Sequence, residues 1–289
     1  MIVHDNEHAH GRVILRGVHP GARRMFGVKD LFTALNALAG VAALALCAEG
    51  RWLWASYAVM AGYVADMFDG RVARALREAN RFGAEFDTAA DFVTQAVAPA
   101  LIVYLVYRDA AAALAVSGRV AHALGAVLAA VLIVPACARY ARRNVRPVAV
   151  DFAWIGLPQT VASFVTLGFV NSTALRLIPG GLWAGVVLVP ALAALELSNL
   201  PFKNHRGRRR NFPLVRVLIG GFVVTSAAAF LFAPRLAWDV LLFWTLGYVV
   251  TAQLALTPAE RRLVPIRVRE ADARLRADEI ARHRDLARA

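Results

Sequence analysis

The sequence predicts an all-α fold: a polytopic membrane helix bundle of about eight transmembrane helices with a cytosolic helical C-terminal tail. Three observations carry this. The chain is 59% hydrophobic over 289 residues, with a mean hydropathy of +0.52, which is too apolar for an ordinary soluble domain. Apolar stretches of spanning length recur near 31–48, 52–66, 88–107, 120–137, 153–171, 182–199, 214–232 and 236–256. The basic residues, finally, gather on alternate connections.

Residues 1–30 form an N-terminal segment with charges and histidines but no continuous apolar run, so they read as no signal peptide. A short interfacial helix is expected around Val13–Leu15, with His4, His8 and His10 in a solvated tail. Residues 31–256 hold the membrane domain. Its second span is short and runs into an acidic segment. Cys47 and Cys137 sit in separate apolar stretches, where they read as small buried hydrophobes rather than a disulfide or metal site. Trp52, Trp54, Trp183 and Trp244 lie near span ends, as interfacial anchors do. Residues 257–289 form the tail. Thr257-Pro258-Ala259-Glu260 is a capping box with proline at the first helical position, and the Arg/Glu/Ala/Leu mixture after it favours a solvated helix.

The net charge of +13 does not point to nucleic acid, for which no motif is present. Of the 33 Lys and Arg, only Arg51, Arg108, Arg119, Arg176 and Arg235 fall on one side of the eight-span arrangement. The positive-inside rule therefore places both termini, and the acidic segment, in the cytoplasm of a cell whose inner membrane holds the chain. A basic cytoplasmic face also suits anionic lipid headgroups.

The acidic segment, residues 66–91, reads DMFDGRVARALREANRFGAEFDTAAD. At about 100° per residue, Asp69 lies about 60° from Asp66, Gly70 about 40° and Ala73 about 20°, with Arg74 and Arg77 flanking that face. Gly83, Asp87 and Asp91 follow at i, i+4 and i+8 on the next helix. Small residues beside the carboxylates let a ligand approach the backbone. Four anions at a membrane edge need positive charge. An all-oxygen donor set favours Mg²⁺, Mn²⁺ or Ca²⁺, and two such ions side by side suit phosphoryl chemistry, with arginines to hold phosphate oxygens.

This segment resembles the signature of the CDP-alcohol phosphotransferase family, D-x2-D-G-x2-A-R-x8-G-x3-D-x3-D, and meets it at Asp66, Asp69, Gly70, Ala73, Arg74, Gly83, Asp87 and Asp91. The similarity narrows to the integral-membrane phosphatidylserine synthases. Phe82–Tyr104 (FGAEFDTAADFVTQAVAPALIVY) is similar to their FGAELDSLADVVSFGVAPALLLY stretch. Arg139–Asn144 resembles their RLARFN element, Gly156-Leu157-Pro158 their GLP, Ser198, Asn199 and Lys203 their SN…K, and Thr33–Asn36 their TLLN start. Gln95 and Ala96 depart from the usual Phe-Gly pair, Thr88 from Ser and Arg143 from Phe.

The resemblance implies two divalent cations, Mg²⁺ or Mn²⁺, bound by Asp66, Asp69 and Asp87 with Asp91 also near them. It implies Asp91 as general base and Gly70, Ala73, Arg74 and Gly83 as the cradle of the CDP donor. By analogy the reaction moves the phosphatidyl group of CDP-diacylglycerol to the hydroxyl of L-serine, giving phosphatidylserine and CMP, in a homodimer. Arg139 and Arg142, at the end of the fourth span, bind lipid phosphate or the serine carboxylate, or else only anchor the span. Asn36 touches the nucleotide or bonds another helix. Two alternatives stand beside this reading. One is a sister transferase whose acceptor is inositol phosphate or glycerol phosphate. The other is a divalent-cation transporter, which calls for acids near the midplane of several spans.

Overall fold

The computed structural model describes residues 27–76, 81–145, 148, 150, 152–204 and 213–286. The expected helix near Val13–Leu15, the three N-terminal histidines and Arg77 lie outside the described residues. The fold is mostly helical. Helices α1 (Lys29–Ala48) and α2 (Trp52–Leu76) pack side by side as a hairpin. Gly50, at φ 73°, closes α1 with its N–H on the Cys47 carbonyl, while the Arg51 N–H reaches the Leu46 carbonyl. Only a residue that tolerates the left-handed region makes this turn at low cost.

The interior of the hairpin is small or polar. Thr33, Asn36, Gly40, Ala43 and Cys47 are buried on α1, with Ala55, Ser56, Val59 and Gly62 on α2. Leu31, Leu35, Leu38 and Val41 are exposed on the other side of α1. That inversion of a soluble helix is what a lipid-facing surface requires, because close approach of backbones, not apolar burial, drives association there.

The second expected span is longer than the sequence indicates. It continues through the aspartates to Leu76 as one helix. Next comes a nearly unbroken rod: α3 (Arg81–Phe92), a π turn (Val93–Val97) and α4 (Ala98–Arg108). The π turn has a cause. Pro99 lacks an N–H and its ring displaces the carbonyl four residues back. That carbonyl belongs to Gln95, and it accepts instead from Gln159 Nε2, further along the chain, at 3.2 Å.

Helix α5 (Gly118–Val145) packs on α4. The fifth expected span, 153–171, starts later than its apolar run suggests. Ala153–Ile155 is strand β1, paired antiparallel with β2 (Pro201–Lys203), so that Ala153 faces Lys203 and Ile155 faces Pro201. Gly156 (φ 74°) and Pro158 then turn the chain into α6 (Gln159–Asn171). A Cβ at residue 156 would press on the Ser198 carbonyl at 3.0 Å, so glycine is required there for conformation and for space. After the short α7 (Thr173–Leu177) and a 3-10 turn (Gly181–Ala184) come α8 (Gly185–Leu197), α9 (Pro213–Phe232), α10 (Pro234–Thr251) and α11 (Pro258–Leu286).

Among the described residues, Lys29–Ala48, Phe82–Arg108 and Gly118–Val145 are long and apolar enough to cross a membrane, and Gly181–Leu197 and Gly220–Phe232 are shorter apolar helices. The Phe82–Arg108 rod is the most buried of the three. Cys47 is buried as expected, whereas Cys137 is exposed, because it lies on the outer face of α5.

The capping box forms in full: Thr257 N–H donates to Glu260 Oε2 at 2.9 Å and Glu260 N–H to Thr257 Oγ1 at 3.3 Å. Glu260 also accepts from Lys203 Nζ at 2.5 Å, tying the tail to β2. Partial burial works against the ionised Glu260, but the bonds from Lys203 and Thr257 outweigh it and hold the carboxyl below its usual range. A depressed carboxyl stabilises above its unfolded value, near pH 4.3, and that contribution is lost as pH falls through the folded value. The protection factors of the first-turn amides of α11 against hydrogen exchange are therefore expected to fall below about pH 4. Thr257→Ala should cost that turn about 1 kcal/mol at neutral pH, and Glu260→Gln should remove the acid sensitivity.

Candidate active site

The site lies where α2 and α3 both pack against α1. Asp66 on α2 and Asp87 and Asp91 on α3 offer carboxylate oxygens that all lie within 4.8 Å of one another, and all three residues are half-buried. Helical spacing explains the grouping: Asp87 and Asp91 are one turn apart, so both face Asp66 across the helix contact. Asp69 and Gly70 continue α2 by one turn beyond Asp66. The side chains of Asp69, Ala73 and Arg74 lie outside the described residues.

Two unit charges 4.8 Å apart repel by about 3.5 kcal/mol at an effective dielectric of about 20. Carboxylates at this spacing are arranged for a shared cation, and three hard oxygen donors fit a divalent one such as Mg²⁺ or Mn²⁺.

Helix α1 supplies the orientation. Asn36 is fully buried, and its Nδ2 donates to Asp91 Oδ1 at 3.0 Å. Its backbone carbonyl accepts from Thr94 Oγ1 at 3.2 Å, which also bonds the Ala90 carbonyl at 3.1 Å. Asn36 is pressed from the far side by Gly62, where a Cβ would come within 2.8 Å of its Oδ1. The buried asparagine thus has its partner, and the partner is the aspartate read as the base.

Gly83 is buried at the start of α3 against a pair that sequence reasoning missed. Lys29 Nζ and Asp30 Oδ1 form an ion pair at 2.6 Å, both side chains nearly inaccessible, and a Cβ on Gly83 would meet Asp30 Oδ1 at 2.6 Å. Asp30 Oδ2 accepts the Gly27 N–H at 2.7 Å. The signal was present as adjacent opposite charges just ahead of the first span, where Lys29 counted only as a topology determinant.

Arg139 and Arg142 stand beside the end of α8. Arg139 Nη1 donates to the Ile155 and Glu196 carbonyls, each at 3.1 Å. Arg142 donates to the carbonyls of Leu197 at 2.6 Å and Glu196 at 3.2 Å. The last carbonyls of a helix have no partner within it, and cationic donors near a helix C-terminus satisfy them and its dipole. Gln95, the departure from the resembled pattern, is buried, and its Oε1 accepts from Thr160 Oγ1 at 2.8 Å.

The family model described as CDP-alcohol phosphatidyltransferase matches residues 27–195, more than half of the chain. The chain belongs to the CDP-alcohol phosphatidyltransferase family. The matched segment opens beside the Lys29–Asp30 pair and ends at Leu195, so it takes in the carboxylates, Asn36, the π turn and α6. Among curated relatives, a CDP-diacylglycerol–serine O-phosphatidyltransferase of Helicobacter pylori strain J99 is 29% identical over 66% of this chain and 78% of its own length. The proteins of that name from Mycobacterium bovis and Mycobacterium leprae are 27% and 28% identical over 77% of this chain, and over 78% and 74% of their own lengths. As a member of the family the chain is a membrane transferase of phospholipid synthesis.

Loss of the Asn36 amide should free the Asp91 carboxylate to rotate. Asn36→Ala is expected to lower kcat about 10- to 100-fold, the usual cost of removing such an orienting partner, with little change in substrate KM. Steady-state kinetics on the purified variant checks this.

Proposed function

We propose that this chain transfers the phosphatidyl group of CDP-diacylglycerol to the hydroxyl of L-serine, releasing CMP. The observation that carries the reading is the convergence of Asp66, Asp87 and Asp91 within 4.8 Å in a chain of this family. The curated relatives support serine as the acceptor. The eight apolar stretches and the distribution of Lys and Arg support a multi-pass protein of the inner membrane, with both termini, the α11 tail and the site on the cytoplasmic side. There a soluble acceptor meets a lipid-borne donor. A homodimer is carried over from the family resemblance.

Asp66, Asp69 and Asp87, with Asp91 near them, would hold two divalent cations, Mg²⁺ or Mn²⁺. When bound, these neutralise the diphosphate and stabilise attacking and leaving oxygens. Gly70 and Ala73 leave room for the cytidine diphosphate, and Arg74 offers a fork to its phosphate oxygens; Gly83, expected beside them, instead makes room for the Lys29–Asp30 pair. Asp91 takes the proton of the serine hydroxyl. The serine oxygen then bonds the phosphorus that bears diacylglycerol, and the bond from that phosphorus to the CMP oxygen breaks. A hydroxyl of this kind is a poor nucleophile without a base within reach. Asn36, donating to Asp91 Oδ1 at 3.0 Å, holds that carboxylate in place for the proton transfer.

Purified protein in detergent, given CDP-diacylglycerol, Mg²⁺ or Mn²⁺ and labelled serine, is expected to release CMP and form a serine lipid in equal amounts. EDTA should abolish both, and Asp91→Asn should lower kcat by about 10²- to 10⁴-fold. CMP release with inositol phosphate or glycerol phosphate but none with serine would replace this reading with the sister transferase. Full activity in Asp91→Asn would sink the assignment of the base.

A further inference from the structure

Lys29 and Asp30 form an ion pair whose side chains are 8% and 3% exposed. It stands in the first turn of α1, the helix that carries Asn36. Both oxygens of the aspartate are engaged: Oδ1 accepts from Lys29 Nζ at 2.6 Å and Oδ2 from the Gly27 N–H at 2.7 Å. Asp30 thereby closes the start of its own helix, where a carboxylate also suits the dipole.

The pair lies against α3. Gly83 is buried there, and a Cβ on it would meet Asp30 Oδ1 at 2.6 Å and Lys29 Cε at 2.7 Å, besides overlapping Lys29 Nζ. Only a residue without a side chain lets α3 come this close to the pair. A second contact joins the same two helices further along, from Asn36 Nδ2 to Asp91 Oδ1 at 3.0 Å. From Asp30 to Asn36 is about 9 Å along α1, and from Gly83 to Asp91 about 12 Å along α3. The two helices therefore run alongside one another in the same direction, joined at two levels. Asp87, midway between Gly83 and Asp91, lies between those levels. One contact alone would let α3 slide or turn on α1. Two define its place, and with it the spacing of Asp87 and Asp91 from Asp66, within 4.8 Å.

We propose that Lys29, Asp30 and Gly83 form a clamp that positions α3 for cation binding: the pair sets the level of Asp87 and Asp91 against Asp66, and Gly83 admits the pair. This rests on the reading of the three carboxylates as a divalent-cation centre. Taking two charges out of water costs about as much as their attraction returns, so the clamp contributes precision at the centre rather than stability to the chain. Lys29 and Asp30 are positioning residues, acting through α3 and not by contact with a cation or a substrate.

The test is Mn²⁺ titration of the full chain in detergent, read by electron paramagnetic resonance of the free ion. It compares the wild type, Gly83→Ala, Lys29→Ala/Asp30→Ala and the variant that combines all three changes. Gly83→Ala and Lys29→Ala/Asp30→Ala should each bind Mn²⁺ about 10-fold or more weakly, the usual loss when a group that orients a metal ligand is removed. In the combined variant the new methyl group enters the space that the two side chains leave, so its affinity should match that of Lys29→Ala/Asp30→Ala, without further loss. Losses that multiply would mean that Gly83 acts apart from the pair, and they overturn the proposal. So does an unchanged Mn²⁺ affinity in Lys29→Ala/Asp30→Ala. A wild type without saturable Mn²⁺ binding overturns the cation centre and the proposal together. Should the alanine variants fail to fold, Lys29→Met/Asp30→Leu keeps the volume and removes the bonds. Its thermal midpoint should stay close to that of the wild type while its Mn²⁺ affinity falls about 10-fold or more; unchanged affinity overturns the proposal.

Discussion

Mutual repulsion among carboxylates is the constraint on which the rest of the structure depends. Asp66, Asp87 and Asp91 stand within 4.8 Å of one another at the edge of an apolar bundle, where any unbalanced charge is expensive. Holding them there requires backbones that approach closely and donors that fix each carboxylate. The α1–α2 hairpin meets the first need with small buried residues, Ala43, Ala55 and Gly62, while Gly40 lets Thr94 of the π turn approach α1. Asn36 meets part of the second by reaching from α1 to Asp91. A soluble protein of this size would bury its leucines. Here Leu31, Leu35 and Leu38 point outward and the polar groups point in, so that the fold is organised around the site.

The irregular features serve the same arrangement. A proline in the rod below Asp91 costs a helix about 3 kcal/mol or more when its effects are uncompensated. The π turn and the Gln159 side chain take up the displaced Gln95 carbonyl, and the same exchange fixes α6 against the π turn. π turns of this kind recur at functional sites. At the end of α8, Arg139 and Arg142 bind free carbonyls and β1 pairs with β2. Each bond from a charged donor contributes about 1.5–3 kcal/mol. Together these contacts join the connections α5–α6 and α8–α9, and they hold Glu196 at the level of the start of α6.

Much of this was legible in the sequence because its signals are local. The i, i+3 and i+4 spacing of the aspartates survives any change of surroundings, and so does the capping box at Thr257–Glu260, which formed with both of its bonds. The helical character of the apolar stretches was equally plain. What the sequence hid depends on distant partners. Ala153–Ile155 reads as the start of a span because it is apolar, and only its pairing with Pro201–Lys203 makes it a strand. Asn36 clearly needed a partner, but nothing local points to Asp91, 55 residues away. Cys137 looked buried because a lipid-facing position and a core position have the same composition. Glu196 gives no local sign of its burial, which comes from the packing of α8 against α5 and α6.

The central claim is that the α2–α3 carboxylates form one divalent-cation centre. Mn²⁺ titration of the purified protein, followed by electron paramagnetic resonance of the free ion, tests it without any assumption about the acceptor. Saturable binding approaching two ions per chain is expected for the wild type, weakened about 10-fold or more in Asp66→Asn and in Asp87→Asn, with the helical circular dichroism of each variant unchanged. Equal Mn²⁺ affinity in all three proteins would contradict the account.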